Sequence, residues 1–306
     1  QQQGKGSGAG GGATSGGAAS GGATQPAKPS DGRVIPNDPL PVAAMKAVDA
    51  DISVKVARLT LAVTEMTNAD IAISLKNGDL QITPFKANAA GGAVDAEVRY
   101  NASKEIPELG FRLDGSNLDI GGIMQLAGIN GVINGPVTVN VSLAGLGDTP
   151  RALAGTLGGS AKLVVANGMM NKSAMIREFG KGATLVTEIL FANKENVVVE
   201  CLFADYAFKG GIADTKTGIL ETEISTVTVD GDINLGKEEL DLDVTPQGSI
   251  AGAVNIGIPV HVGGTLASPS FGLQAGKAAL GVGLGLLTGG VAPAIGGLLA
   301  QGFPED

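Results

Sequence analysis

Asp70-Ile71-Ala72-Ile73-Ser74-Leu75-Lys76-Asn77-Gly78-Asp79-Leu80-Gln81-Ile82 decides the fold. Ile71, Ile73 and Leu75 alternate with smaller or polar residues, and Leu80 and Ile82 resume the alternation after Asn77-Gly78. A period of two places every second side chain on one face, which is the pattern of a strand with one apolar side. Asn-Gly favours the positive φ angles of a tight two-residue turn. The segment therefore reads as an antiparallel hairpin.

The same reading extends outward in both directions. Upstream, Ile52, Val54 and Val56 alternate with Asp51, Ser53 and Lys55; Leu59, Leu61 and Val63 continue after a one-residue slip at Ala57-Arg58. Downstream, Gly91-Gly92 predicts a turn before Val94, Ala96 and Val98. Val137, Val139, Val141 and Leu143 follow Asn134-Gly135-Pro136, and Leu163 and Val165 precede a turn at Asn167-Gly168. Val197–Phe203, Ala204–Phe208 and Ile219–Val229 read as strands, the last with a bulge at Ser225-Thr226. Ile233 and Leu235 then lead through Gly236-Lys237 to Leu240, Leu242 and Val244, and Pro259–Val262 closes the series.

Helical spacing interrupts the strands at Asp119–Ala127, after the cap Asp148-Thr149-Pro150, and over Lys172–Phe191, where Gly180 and Gly182 weaken a stripe of Met175, Ile176, Phe179, Val186, Ile189 and Leu190. The predicted fold class is mainly β, a long antiparallel sheet with a few short helices. Its ends differ from its middle. Residues 1–46, rich in Gly, Ala, Ser and Pro, read as a disordered linker. Residues 47–275 read as the β domain, and 276–306 as an apolar, glycine-rich helical tail. Within that tail, Ala278–Ala300 carries no charge and is long enough to span a bilayer. Gly281, Gly285 and Gly289 form a ladder that permits close helix approach. Seven glycines and Pro293 oppose a helix, so interfacial lipid contact, burial against the sheet and a true span all remain open. Leu280, Leu284, Leu287, Ile295 and Leu298 are its candidate membrane-contacting residues.

Composition narrows the function. Glycine contributes 49 of 306 residues, there is no tryptophan, aromatics make up 3% and hydrophobic residues 43%. The apolar content is thus aliphatic, enough to order the chain, and poor in the stacking platforms that single-stranded nucleic acid requires. Net charge is −9 with no basic run, which argues against any nucleic-acid partner. Glu195–Asp243 holds twelve acidic residues and three lysines and reads as a solvated sheet face. The chain begins Gln1-Gln2-Gln3 without a recognisable signal peptide and reads as the C-terminal part of a longer protein.

Catalytic chemistry is hard to assemble. Cys201 is the only cysteine, and alternation places it beside Val199 and Phe203 as a core thiol rather than a nucleophile. The single histidine, His261, points away from Val260 and Val262 toward solvent. Asp241 and Asp243 share a strand face, a spacing open to acid–base work or calcium but more economically an exposed polar face. No zinc ligand set and no phosphate-binding glycine loop occur. The expectation is no enzyme, no cofactor and no metal.

Several segments in sequence order carry a family resemblance. They are Asp70–Val98 with its Gly-Gly ending, Phe111–Gly147, Thr149–Gly168, Cys201–Pro246 with Gly231-Asp232-Ile233-Asn234-Leu235-Gly236, and Pro259–Pro269. Together they resemble the C-terminal region of the AsmA family of bacterial envelope proteins. The resemblance implies a long curved antiparallel sheet folded into an elongated, β-taco-like groove with an aliphatic interior. It further implies a non-catalytic protein that binds or conducts phospholipid acyl chains and supports outer-membrane biogenesis. The implied location is the periplasm, with the full-length protein anchored to the inner membrane by an N-terminal helix this chain lacks. The implied partners are phospholipid, a membrane surface and outer-membrane assembly proteins. The alternative is a structural module regulating the assembly or targeting of outer-membrane proteins. The candidate lipid-facing residues are Ile52, Val54, Ile71, Ile73, Val139, Val141, Val227, Val229, Leu240 and Leu242. Roughly 14 strands at ~4.8 Å spacing would make a sheet about 65 Å across.

Overall fold

The computed structural model describes residues 31–60, 65–126, 128–180, 184–247 and 259–273. The tail residues 276–306 with their glycine ladder and the membrane-contacting candidates Leu280, Leu284, Leu287, Ile295 and Leu298 lie outside the described residues. So do residues 1–30, Leu61, Val63, Ala127 and Gly182.

One fourteen-stranded sheet organises the described residues. The strands are β1 (Ala50–Thr60), β2 (Glu65–Lys76), β3 (Asp79–Ala89), β4 (Gly92–Asn101), β5 (Glu108–Asp119), β6 (Ile133–Asn134), β7 (Pro136–Leu146), β8 (Gly158–Asn171), β9 (Asn196–Lys209), β10 (Ile212–Thr222), β11 (Thr226–Asn234), β12 (Glu239–Gln247), β13 (Val260–Thr265) and β14 (Ser268–Leu273). Their spatial order follows the sequence, with only β6 off the path against β8. Every pairing is antiparallel, and the sheet stays open between β1 and β14. Open and curled, it has the form of a β-taco-like groove.

The turns explain this simple order. Asn77 and Gly78 both take positive φ, 50° and 82°, as a two-residue hairpin of primed type requires. The next turn lies at Ala90-Gly91, one residue earlier than the sequence predicts. Gly92 opens β4 instead, where a Cβ would lie 2.2 Å from the Ser116 carbonyl oxygen. That glycine serves close strand approach rather than turn geometry.

Other expectations are corrected. Asn167-Gly168 does not end a strand: β8 runs through it in continuous register with β9. Ile219–Val229 is not one bulged strand. It is the end of β10 and the start of β11, joined where Thr222 Oγ1 accepts from Ser225 N (3.0 Å) and donates to Ser225 O (2.9 Å). The predicted slip at Ala57-Arg58 is by contrast present: the β1–β2 pairing skips Ala57–Asn68, where Asn68 takes φ 51°, and the β2–β3 register shifts between Thr67 and Asp70, so Val56 and Leu59 keep to one face.

Among the described residues, five short helices join at the strand ends. Helix α1 (Val42–Ala47) and α3 (Pro150–Thr156) lie at one set of ends; α2 (Ile120–Leu126), α4 (Lys172–Phe179) and α5 (Thr184–Phe191) lie at the other. Thr149 caps α3, its hydroxyl accepting from Ala152 N at 3.0 Å, with Pro150 at the first helical position. The expected long helix over 172–191 is two helices. Gly180 adopts φ +75°, which ends α4 after Phe179.

Two packed bands follow from this arrangement. In the first, Val186, Leu190 and Phe191 of α5 and Ile120 of α2 pack with Leu118, Val137, Val165, Val197, Val199 and Val227 near one set of strand ends. In the second, Leu40, Val42 and Met45 join Tyr100, Ala102, Leu153, Leu80 and Leu109 at the opposite ends. The buried Tyr100 hydroxyl donates to Gly147 O at 3.0 Å, and burial pushes its ionisation up. Tyr100→Phe leaves that carbonyl unpaired, so a loss of about 1 kcal/mol is expected in chemical denaturation.

The second band draws in residues expected to be linker. Residues 31–46 run along the strand ends as a strap, not as free chain. Val34 N and Ile35 N donate to the Glu238 carboxylate at 2.7 and 3.0 Å. Arg151 reaches Ile35 O at 2.9 Å and Asp31 at 2.8 Å, and Leu40 N donates to Asp148 O at 2.7 Å. The strap thereby spans from the β11–β12 turn to the β7–α3 connection.

Candidate functional site

The register assembles one aliphatic face from nearly every strand. Partners directly opposite across an antiparallel pair project to the same side of the sheet. Ile52 lies opposite Ile73, Ile73 opposite Ile82, and Ile82 opposite Val98. The row continues through Phe111 and Leu143 to Gly159 and Phe208. It ends with Ala213, Ile233 and Leu240. A parallel row links Val54, Ile71, Phe85, Ala96, Leu113, Val141, Ala161 and Tyr206.

All ten candidate residues stand on this one face. Val139 pairs with Leu163, Val229 with Val244, and Leu242 with Val262. Their environments differ. Ile52 and Val54 on the edge strand are 50% and 38% exposed. Ile71, Ile73, Val139, Val141, Val229, Leu240 and Leu242 are half-buried. Val227 is the exception. At 1% exposure it belongs to the packed band with Leu220 and Val260, so it is core rather than open floor. Between the two packed bands lies a strip of the face that no described helix covers to burial.

The opposite face is solvated and charged. One register row crosses eight strands as Lys55, Asp70, Lys86, Asp95, Asp114, Asn140, Lys162 and Asp205. Within it Lys55–Asp70 (3.3 Å), Lys86–Asp95 (3.0 Å) and Lys162–Asp205 (3.2 Å) form ion pairs. Exposed pairs of this kind add little stability but keep the face in water. Arg99 grips Asp79 through two nitrogens at 3.1 and 2.9 Å and holds its carboxyl below the usual carboxylate range. His261 shares this face with Asp241 and Asp243, its Nδ1 3.3 Å from Asp243 Oδ1 and 3.7 Å from Asp241 Oδ1.

Cys201 departs from its expected place. β9 carries one extra residue near Glu200, since Glu221 pairs with Cys201 while Thr222 pairs with Val199. The bulge moves Cys201 and Phe203 to the charged face and leaves Val199 in the core. The thiol is half-buried. Among the described residues, no three His, Cys, Asp or Glu side chains converge as a metal site, and no helix is long and apolar enough to cross a membrane.

The residues that sequence reasoning left out of the site are Ile82, Val98, Phe111, Leu113, Leu143 and Leu163, together with Tyr206 and Thr215. Most carried the same period-two signal. Only cross-strand register ties them to the candidate face.

An open, curled antiparallel sheet with one aliphatic and one charged face is a groove-forming architecture. The profile of the AsmA family matches residues 6–237, and the chain belongs to that envelope-associated family. It is 26% identical over 249 residues to the AsmA family protein YhjG of Escherichia coli (strain K12), covering 80% of this chain and 36% of that protein. The chain thus spans about a third of the length of the curated relative it matches. No solved structure matches the chain at a significant level.

Proposed function

We propose that this chain is a non-catalytic groove segment that holds phospholipid acyl chains in the periplasm and supports lipid transport and outer-membrane biogenesis. One observation carries the reading: the aliphatic strip between the packed bands is a continuous apolar face, crossing nearly every strand, whose side chains stay only half-buried. Water-exposed apolar surface of this extent is costly, and covering it with an acyl chain recovers about 0.8 kcal/mol per buried methylene. The strip's partners are hydrocarbon, with backbone polar groups already paired within the sheet. An N-terminal inner-membrane anchor would place the groove in the periplasm. Membrane-surface contact is the corresponding role for the apolar 278–300 segment.

Mass spectrometry of lipid extracted from the purified protein tests this. Co-purifying phospholipid near one or more molecules per chain is expected. Protein that stays lipid-free after incubation with phosphatidylethanolamine vesicles would sink the proposal.

A second reading also has an observation behind it. Ile52, Val54 and Leu59 of the edge strand β1 are all exposed. Such an edge accepts a further strand. A module that guides assembly of outer-membrane proteins would use it, and site-specific crosslinks from β1 to a protein partner in lipid-free preparations would favour that role.

A further inference from the structure

Thr215 Oγ1 is buried, and it alone among the described buried side-chain oxygens and nitrogens lacks a hydrogen-bond partner. It stands on the aliphatic face. The register row from Leu113 through Val141 and Ala161 reaches Tyr206, and Tyr206 lies directly opposite Thr215. A bulge explains how it gets there. β10 has one extra residue at Lys216, because Thr215 pairs with Tyr206 but Thr217 pairs with Asp205. That extra residue lets Thr215 and Gly218 both face inward, where strict alternation would send one of them out.

Two hydroxyl-bearing side chains thus sit face to face in a wall otherwise made of hydrocarbon. A buried hydroxyl without a partner is destabilising and rare in a folded protein, so an absent acceptor is the natural explanation. The surroundings define that acceptor. The neighbouring inner-face positions Ala161, Ala204, Phe208, Ala213 and Gly218 carry no charge. A carboxylate or phosphate would be desolvated there without a counter-ion, which is far more costly than placing a neutral carbonyl. We propose that Thr215 and Tyr206 form a hydrogen-bonding station for the acyl ester carbonyl of a diacyl lipid lying in the groove. Tyr206 is half-buried on the same face, and Thr215 Oγ1 is shielded from water without ligand, so neighbouring side chains must turn to admit the ester. Each hydroxyl donates, and the ester oxygen accepts. The station deepens the lipid-binding reading and rests on it.

The test compares dioleoyl phosphatidylglycerol with its dialkyl ether counterpart, which has the same headgroup and chains but no ester carbonyl. Each lipid displaces a fluorescent polyene fatty acid from the full chain. The wild-type protein is expected to bind the diester about 3- to 10-fold more tightly. Thr215→Val and Tyr206→Phe should each shrink that preference toward parity while leaving diether affinity unchanged, and Thr215→Ser should keep it. Equal binding of both lipids by wild type, or a preference that survives Thr215→Val, overturns the station while leaving the groove reading intact. Failure of both lipids to bind removes the groove reading itself.

Discussion

Val141→Asp and Leu242→Asp are each expected to cut phospholipid loading by an order of magnitude or more while the protein stays folded. Both side chains lie on the half-exposed strip, opposite Leu113 and Ala161 in one case and Gly231 and Val262 in the other. A carboxylate there remains close enough to water to stay hydrated in the empty groove, so a stability loss of about 1–2 kcal/mol is expected. Against an acyl chain the same carboxylate must be desolvated, and that penalty opposes every lipid equally. Val137→Asp is the control that gives the experiment its meaning. Val137 stands on the same face of the same strand as Val141, yet it is 1% exposed against Leu118 and Val165. Its replacement is expected to cost about 4 kcal/mol or more and to unfold much of the population. Circular dichroism and thermal melts separate the two behaviours. Should Val141→Asp unfold the protein as Val137→Asp does, the strip is packed core and not an open floor.

The hairpins and the apolar face were legible because their signals are local. Asn77-Gly78 sets a turn by its own φ preferences, and Ile71, Ile73, Leu80 and Ile82 take their face from alternation alone. The resemblance to the AsmA family supplied the groove, and the curled open sheet agrees with it. What sequence could not supply is whatever depends on a neighbour. Alternation alone puts Cys201 in the core, because one extra residue in β9 leaves no mark in composition yet inverts the faces beyond it. Thr222 looked like an ordinary strand residue, and its hydroxyl instead closes a turn onto Ser225. Val227 and Val229 have the same pattern. Only the helices packed over one set of strand ends distinguish the core residue from the floor residue. Residues 31–46 look like linker because their hydrogen-bond partners lie more than a hundred residues away, and at Glu238 about two hundred.

Glu238 is that distant partner, and its replacement should release the strap. The side chain is 1% exposed, and its two carboxylate oxygens accept from Val34 N and Ile35 N, while Arg33 reaches Gly236 O at 3.2 Å beside it. No described cation pairs with the carboxylate, so the strap's backbone N–H groups are what satisfy it. Hydrogen bonds to a charged acceptor contribute about 1.5–3 kcal/mol each, and Glu238→Ala removes two. A net loss of about 3 kcal/mol is expected, since water reaches the freed amides and offsets part of the cost. Glu238 also sits at φ +62°, a conformation that strains any residue with a side chain. Glu238→Gly relieves that strain and should lose about 1 kcal/mol less than alanine, although it detaches the strap just as fully. Glu238→Gln keeps one acceptor and turns an N–H donor toward the other amide, which places it between wild type and alanine. Amide hydrogen exchange at Val34 and Ile35 reads the attachment directly. It should accelerate in both the alanine and glycine variants, while exchange at the β7–β8 pairs Val139–Leu163 and Val141–Ala161 holds steady. If Val34 and Ile35 stay protected in the alanine variant, the carboxylate is not what holds the strap, and the contacts of Arg151 with Ile35 and Asp31 must hold it instead.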